Sequence, residues 1–191
     1  MVAEEATLVA AMRARVDRDE AVAAFASGVR GGVRRLMRGP LRSVAQIHLP
    51  FRLHEVAIRR GRQNERMVIG IDAVAGILDL YRFDAAGPSQ AVVRVRTRNH
   101  VVPRLAPSAA RDIVASRVQR MMYQRVGFLA IGACRLDVQA VGEVLYVPYW
   151  IGFFGRRETA SLVVMDAVRR QMEGVKVRRL VEQWITESPA A

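Results

Sequence analysis

Cysteine is almost absent from this sequence, since Cys134 is the only one in 191 residues. A single cysteine excludes a disulfide within the chain and a zinc site built from several thiolates. Cys134 follows the apolar run 130–133, where we expect a buried structural residue rather than a catalytic nucleophile. Thiol chemistry therefore gives no reason to read the chain as an enzyme.

Histidine is also scarce, with only His48, His54 and His100. His48 and His54 share one face of a predicted strand, but they are separated by about 20 Å in an extended chain, too far to bind one metal ion. We expect them to be partly exposed structural residues. The glycines at 28–32 lie inside a helical pattern and lack the Lys-Ser/Thr pair that grips phosphate. The sequence thus predicts no catalytic residues, no metal ligands and no cofactor, and a protein that is not an enzyme.

Long apolar runs are absent as well. The longest uncharged apolar run is residues 126–134, whereas a membrane-spanning helix needs about 20 such residues. Glu4 and Glu5 stand where a secretory signal needs positive charge. We therefore expect no membrane span and, by default, a cytoplasmic protein, although a chain trimmed of an export signal would read the same.

Lysine is nearly missing, because 29 of the 30 basic residues are arginine, and the net charge is +12. This excess has two explanations: the composition of a GC-rich genome, or a surface that binds anions, since guanidinium offers a planar fork of donors. Arg94, Arg96 and Arg98 alternate with apolar residues on a predicted strand. They would share one face at intervals of about 6.6 Å, near the phosphate repeat of nucleic acid. With Arg104 they are the candidate anion-binding residues.

What the sequence does contain is a repeat. Residues 49–53 (Leu-Pro-Phe-Arg-Leu) reappear as residues 147–151 (Val-Pro-Tyr-Trp-Ile), and each copy is followed by an apolar run that ends in Asp-Ala-Val. From proline to aspartate the copies span 22 and 18 positions. The difference of four corresponds to two extra residues on each arm of the first hairpin. An even number of extra residues keeps every inward side chain facing inward, because strand side chains alternate. We interpret this likeness as a duplication, while similar composition alone remains the alternative.

The apolar spacing predicts the elements around these copies. Helical stripes run over residues 8–16 and 20–38, from Ser108 onwards, and along residues 177–184. Period-two alternation predicts strands from Ile47 and from Leu145. The prolines between residues 103 and 107 separate the halves. We therefore expect N-terminal helices and a first α+β repeat in residues 1–106, with a second repeat and a C-terminal helix in residues 107–191.

The helix, hairpin and turn from Asp72 to Leu78 resemble the PepSY and cystatin-like group of small α+β domains, in which an Asp-x-x-x-Gly-x-Leu turn commonly closes the sheet. The second copy has Arg170 where the first has Gly76, which departs from the pattern. The resemblance implies two similar helix-plus-antiparallel-hairpin repeats with flanking N- and C-terminal helices, and a binding or scaffolding role. Members of the group are usually exported or membrane-linked, which the start of this chain does not suggest.

An aromatic face is the other feature of interest. Tyr146 and Trp150 lie opposite the predicted core face, where the first copy has His48 and Arg52. This face either packs under a helix or the other repeat, or is exposed as a protein-binding or homodimer surface. Tyr146, Trp150 and Arg52 are the candidate partner-binding residues. We predict a non-enzymatic binding or scaffold module for a protein partner or for self-association. An arginine-rich nucleic-acid-binding protein is the alternative; it comes second because no known nucleic-acid motif accompanies the arginines.

Overall fold

Two long strands, β2 (Leu41–Arg60) and β6 (Cys134–Phe154), dominate the computed structural model, which describes residues 6–27, 39–83, 91–126, 134–155 and 161–187. The other elements, in chain order, are β1 (Thr7–Met12), α1 (Arg18–Ser27), β3 (Gln63–Asp72), β4 (Tyr81–Phe83), β5 (Val92–Thr97), α2 (Pro107–Val126), β7 (Ser161–Asp166), β8 (Gln171–Met172) and α3 (Val175–Glu187). Strands hold 50% and helices 28% of the described residues, so the protein is mostly sheet.

The strands hydrogen bond as one mixed sheet in the order β4-β3-β2-β6-β1-β5, with β7 beside β6 and β8 beside β7. The expected α+β fold of two helix-plus-antiparallel-hairpin repeats with flanking N- and C-terminal helices is therefore wrong. The reason is non-local pairing. Besides its antiparallel partner β7, strand β6 pairs in parallel with β1, where Ala11 is opposite Tyr146.

The start of the chain is a strand where a helix was expected. In β1, Val9 and Ala11 are buried while Leu8 is exposed, which is the period of a strand. The apolar spacing over residues 8–16 fits a helix equally well, because a short apolar run does not separate the two periods. Pairing with β6 decides between them, and no local pattern reports it.

The remaining helices lie near their predicted positions. The helix expected over residues 20–38 is α1 as far as Ser27, and residues 28–38 lie outside the described residues. The helix predicted from Ser108 is α2, which begins one residue earlier. The apolar stripe of α3 is buried as expected, at Val177, Leu180 and Val181.

Two compact units divide the chain, and both are discontinuous. Unit 1 contains Met1–Leu49, Val93–Val101 and Tyr146–Ala191, and unit 2 contains Pro50–Val92 and Val102–Leu145. Each unit contains residues from both sides of position 106, where the sequence predicts the boundary between the two repeats. The division into residues 1–106 and 107–191 stays a prediction.

The core of unit 1 forms where α1 packs on β6 and β7. Phe25 of α1 meets Phe154 edge to face, with ring centroids 6.3 Å apart, beside Trp150 and Met165. A Cβ atom at Gly152 would lie 3.0 Å from the Phe25 ring, so this position needs glycine to admit the ring. The helix of the first half thus packs on the hairpin of the second half.

The core of unit 2 has the converse composition. Helix α2 presents Ala110, Val114, Val118 and Met122 at intervals of four residues, all buried against Val56 of β2 and Ile69 and Ile71 of β3. The helix of the second half therefore packs on the hairpin of the first half.

The two hairpins have the same register. Phe51 pairs with Asp72 across β2 and β3, and Tyr149 pairs with Asp166 across β6 and β7. The alanine after each aspartate donates its N–H to the carbonyl of the repeated proline: Ala73 to Pro50 at 2.8 Å, and Ala167 to Pro148 at 3.1 Å.

Each of these alanines also accepts two hydrogen bonds from the chain just before a helix. The Ala73 carbonyl accepts from the N–H groups of Arg104 and Leu105, which precede α2. The Ala167 carbonyl accepts from Arg15 and Val16, which precede α1. The repeated Asp-Ala-Val segment therefore joins each hairpin to the helix contributed by the opposite half of the chain.

Candidate functional site

The repeated aspartates close turns. Asp72 is 1% exposed, and its Oδ1 accepts backbone hydrogen bonds from Ala75 and Gly76, both at 2.9 Å, and from Val74 at 3.3 Å. Its Oδ2 accepts another from Leu78 at 2.8 Å. Both oxygens of this carboxylate are engaged by the backbone, so Asp72 fixes the turn.

The second turn is built alike, although it lacks the glycine. Asp166 Oδ1 accepts hydrogen bonds from Val168 at 2.7 Å and Arg169 at 2.8 Å. Arg170 has φ 59° where Gly76 has φ 67°, so arginine adopts the left-handed conformation that glycine adopts in the first turn. The Arg170 guanidinium donates to the Arg15 carbonyl at 2.7 Å and lies 3.6 Å from Glu20.

The candidate partner-binding residues are packed inside the protein. Tyr146 and Trp150 are each 8% exposed, and the Trp150 indole N–H donates to the Val16 carbonyl at 2.9 Å. Arg52 is half-buried and donates from Nε to the Leu105 carbonyl at 3.0 Å. Of the two alternatives for the aromatic face, the structure has the packed one: α1 and the residues just before it pack against Trp150, and Arg52 holds the chain just before α2.

The arginines of β5 do lie on a surface. Exposure alternates along β5: Arg94 and Arg96 are exposed, while Val93, Val95 and Thr97 are half-buried. Arg98, the first residue after β5, lies in a bend and is also exposed. Arg96 donates from Nε to the Ala6 carbonyl at 3.4 Å. We call Arg94, Arg96 and Arg98 the β5 arginine face; it lies in unit 1. Arg104 is also exposed but belongs to unit 2, so it is not included in this face.

The histidines differ from expectation in burial. His48 is 4% exposed and His54 is fully buried, so the expectation that both are partly exposed is wrong. Burial lowers the pKa of His48 most; a backbone hydrogen bond involving Asn99 raises it, and the nearby His100 lowers it further. Burial also lowers the pKa of His54, helped by the charges of Arg52 and Arg111 and opposed by the Arg52 backbone.

Sequence reasoning missed the neighbour of His48. His100 lies opposite His48 in an isolated parallel bridge, and the His100 ring meets Tyr146 edge to face at 6.0 Å. Burial raises the pKa of Tyr146. The two histidines are separated by 52 positions, and no periodicity links them, so only the fold reveals the pair.

A polar groove of about 220 Å³ lies in unit 2, lined by Glu55, Ala57, Arg59, Arg66, Asp137 and Gln139. In this groove Glu55 lies 3.5 Å from Arg66, and Gln139 donates a hydrogen bond to Asp137 at 3.0 Å. Its lining has no histidine, serine or cysteine.

Cys134 is partly buried at the margin of the unit 2 core, rather than fully buried as expected.

Within the described ranges, no cluster of three or more histidine, cysteine or carboxylate side chains could hold a metal ion. No helix in those ranges is both long and apolar enough to cross a membrane. Neither a protein-family model, nor a curated protein, nor a solved structure matches the chain.

Proposed function

We propose that this protein is a non-enzymatic binding module and that the β5 arginine face is its ligand surface. The observation that supports it is the alternation along β5, which exposes Arg94 and Arg96 on the strand, with exposed Arg98 directly after the strand end. Strand geometry sets Arg94 and Arg96 about 6.6 Å apart on a common face, and Arg98 follows two residues later in the bend that ends the strand. Three neighbouring exposed cations favour an anionic ligand.

An acidic protein segment is the ligand class that fits best. A guanidinium binds a carboxylate through two parallel N–H···O bonds, and a strand face presents these groups in a row. A second copy of the chain would bring one arginine face against another, which charge repulsion disfavours. The proposal therefore replaces the aromatic partner surface with a basic one and replaces self-association with an acidic partner.

Nucleic acid is the second candidate, and the arginine spacing near the phosphate repeat favours it. The composition of the surface argues against it. Proteins that bind single strands stack bases on exposed aromatic rings, whereas Tyr123 of unit 2 is the one exposed aromatic residue in the part of the chain that the structure describes. A nucleic acid is therefore an outcome that the binding test must distinguish.

The test measures binding of a fluorescein-labelled peptide of alternating glutamate and serine, with its glutamine counterpart as the neutral probe. The β5 triple variant replaces Arg94, Arg96 and Arg98 by Gln. The matched control, the hairpin-tip triple variant, replaces Arg59, Arg60 and Arg62, which are also exposed. Both variants lose the same net charge, so general electrostatic attraction falls equally in the two.

We expect the β5 triple variant to bind the acidic peptide about tenfold more weakly, since three exposed ion pairs contribute about 0.5 kcal/mol each. The hairpin-tip variant should lose much less affinity, because it loses only the general electrostatic attraction that both variants share. Equal losses in both variants, or equal binding of the glutamine peptide, would show that the β5 arginine face is not the ligand surface.

A further inference from the structure

A pair of neighbouring histidines in unit 1, buried His48 and half-buried His100, has no role in the proposed binding surface. The His48 N–H donates to the Asn99 carbonyl at 2.9 Å, and the Val101 N–H donates to the His48 carbonyl at 3.0 Å. This is the pattern of a parallel bridge between His48 and His100. Bridge partners on adjacent strands lie about 4.8 Å apart and project their side chains to the same side of the sheet. The fold therefore places the two imidazoles side by side.

Both imidazoles have an unused nitrogen. The Nδ1 atoms of His48 and His100 are buried, and neither has a hydrogen-bond partner among the described residues. A buried polar nitrogen left without a partner destabilises the folded state. Two such nitrogens on neighbouring residues suggest a ligand that accepts electron pairs from both.

The surroundings restrict the choice of ligand. Structural zinc sites use four protein ligands, and calcium and magnesium prefer oxygen ligands. No third histidine, cysteine or carboxylate joins the pair to form a metal-binding cluster within the described ranges. A buried divalent ion without a carboxylate would also keep most of its charge uncompensated. A monovalent ion of low coordination number meets these limits, and imidazole is a ligand that suits copper.

We propose that His48 and His100 bind one Cu(I) ion through their Nδ1 atoms. The site needs no electron transfer, because the ion enters and leaves as Cu(I). Tyr146 packs its ring against His100 and shields one side of the pair. The proposal is independent of the β5 arginine face.

The test titrates the purified full chain with Cu(I) under anaerobic conditions, in competition with a chromogenic Cu(I) chelator. We expect one Cu(I) per chain, and at least tenfold weaker binding in His48→Gln and in His100→Gln. His54→Gln is the matched control, because His54 is another buried histidine and lies outside the pair. Cys134→Ser is the second control, since thiolate is a strong Cu(I) ligand. Both controls should keep the wild-type affinity.

X-ray absorption on the wild-type complex decides the matter even if a histidine variant does not fold. The expected spectrum is that of two-coordinate Cu(I) with nitrogen ligands only. Sulfur in the first coordination shell would overturn the proposal, as would a loss of binding in either control variant. Binding retained in both His48→Gln and His100→Gln would overturn it as well. Tighter binding of Zn(II) than of Cu(I) by the same two histidines would overturn the choice of ion.

Discussion

Replacing Gly76 by alanine should destabilise the protein more than replacing Gly142, although both glycines have φ 67°. A Cβ atom at Gly76 would lie 2.8 Å from Ile113 Cδ1 and 3.3 Å from Leu105 Cδ2. A Cβ atom at Gly142 would meet nothing within 4 Å. The two substitutions therefore share the cost of the backbone conformation and differ in packing.

The magnitudes follow from these two terms. A residue with a Cβ in the left-handed conformation costs about 1–2 kcal/mol, which is the whole expected effect of Gly142→Ala. At Gly76 the new Cβ atom meets the terminal methyl groups of two half-buried side chains that can shift, so crowding adds about 1 kcal/mol, the low end of the cost of overpacking. Gly76→Ala should therefore lower the free energy of unfolding by about 1 kcal/mol more than Gly142→Ala, as measured by urea denaturation.

A third variant identifies the clashing group. Ile113→Val removes the Cδ1 methyl that the new Cβ would touch, at a cost of about 0.5–1.5 kcal/mol when made alone. Combined with Gly76→Ala, it should destabilise less than the sum of the two single changes, because the crowding is relieved. Additive effects, or equal losses at Gly76 and Gly142, would refute the reasoning that helix α2 packs tightly on this turn.

Three further predictions concern pH, backbone strain and nucleic acid. Because burial lowers the pKa of His48 and His54 from 6.5, the unfolded chain binds protons before the folded chain does as the pH falls. The free energy of unfolding should therefore be at its full value above about pH 6.5 and decrease below it. An equal free energy of unfolding in urea at about pH 5.5 and about pH 7.5 would contradict this. Arg170→Gly should be more stable than Arg170→Ala by about 1 kcal/mol in urea unfolding, because only glycine accepts φ 59° without strain. Equal stabilities of the two variants would show that the backbone at position 170 is not strained. Duplex DNA should bind weakly, and the slope of log affinity against log salt concentration should barely differ between wild type and the β5 triple variant. A submicromolar complex at physiological salt whose slope becomes about 3 shallower in that variant would favour a nucleic-acid ligand.

The sequence predicts local elements because local patterns specify them. Alternation from Ile47 marks β2, and the spacing of apolar residues marks α2 and α3. The likeness of the two hairpins could also be predicted, because the proline and the aspartate recur in both copies. In each hairpin the residue after the proline pairs with the aspartate. These features depend on neighbours within about 25 positions along the chain.

What the sequence did not reveal depends on contacts between distant segments. Strand β1 is a strand because it pairs with β6, and Trp150 is buried because helix α1 packs over it. His48 is buried and adjacent to His100 for the same reason, since a bridge joins segments far apart in the chain. The helix-plus-hairpin interpretation assumed that each helix packs on the hairpin that follows it, whereas each packs on the hairpin of the other half.

The most direct test of the β5 arginine face is a charge exchange between protein and ligand. Arg94, Arg96 and Arg98 are replaced by Glu, and binding is measured to the glutamate peptide and to a matching arginine peptide. We predict that this variant loses the acidic peptide and gains the basic one, because the contacts are restored with opposite signs. The same exchange at Arg59, Arg60 and Arg62 should change both affinities much less, through the general electrostatic attraction alone. Retained binding of the acidic peptide by the β5 variant, or an equal switch in the hairpin-tip control, would contradict the assignment of this face as the ligand surface.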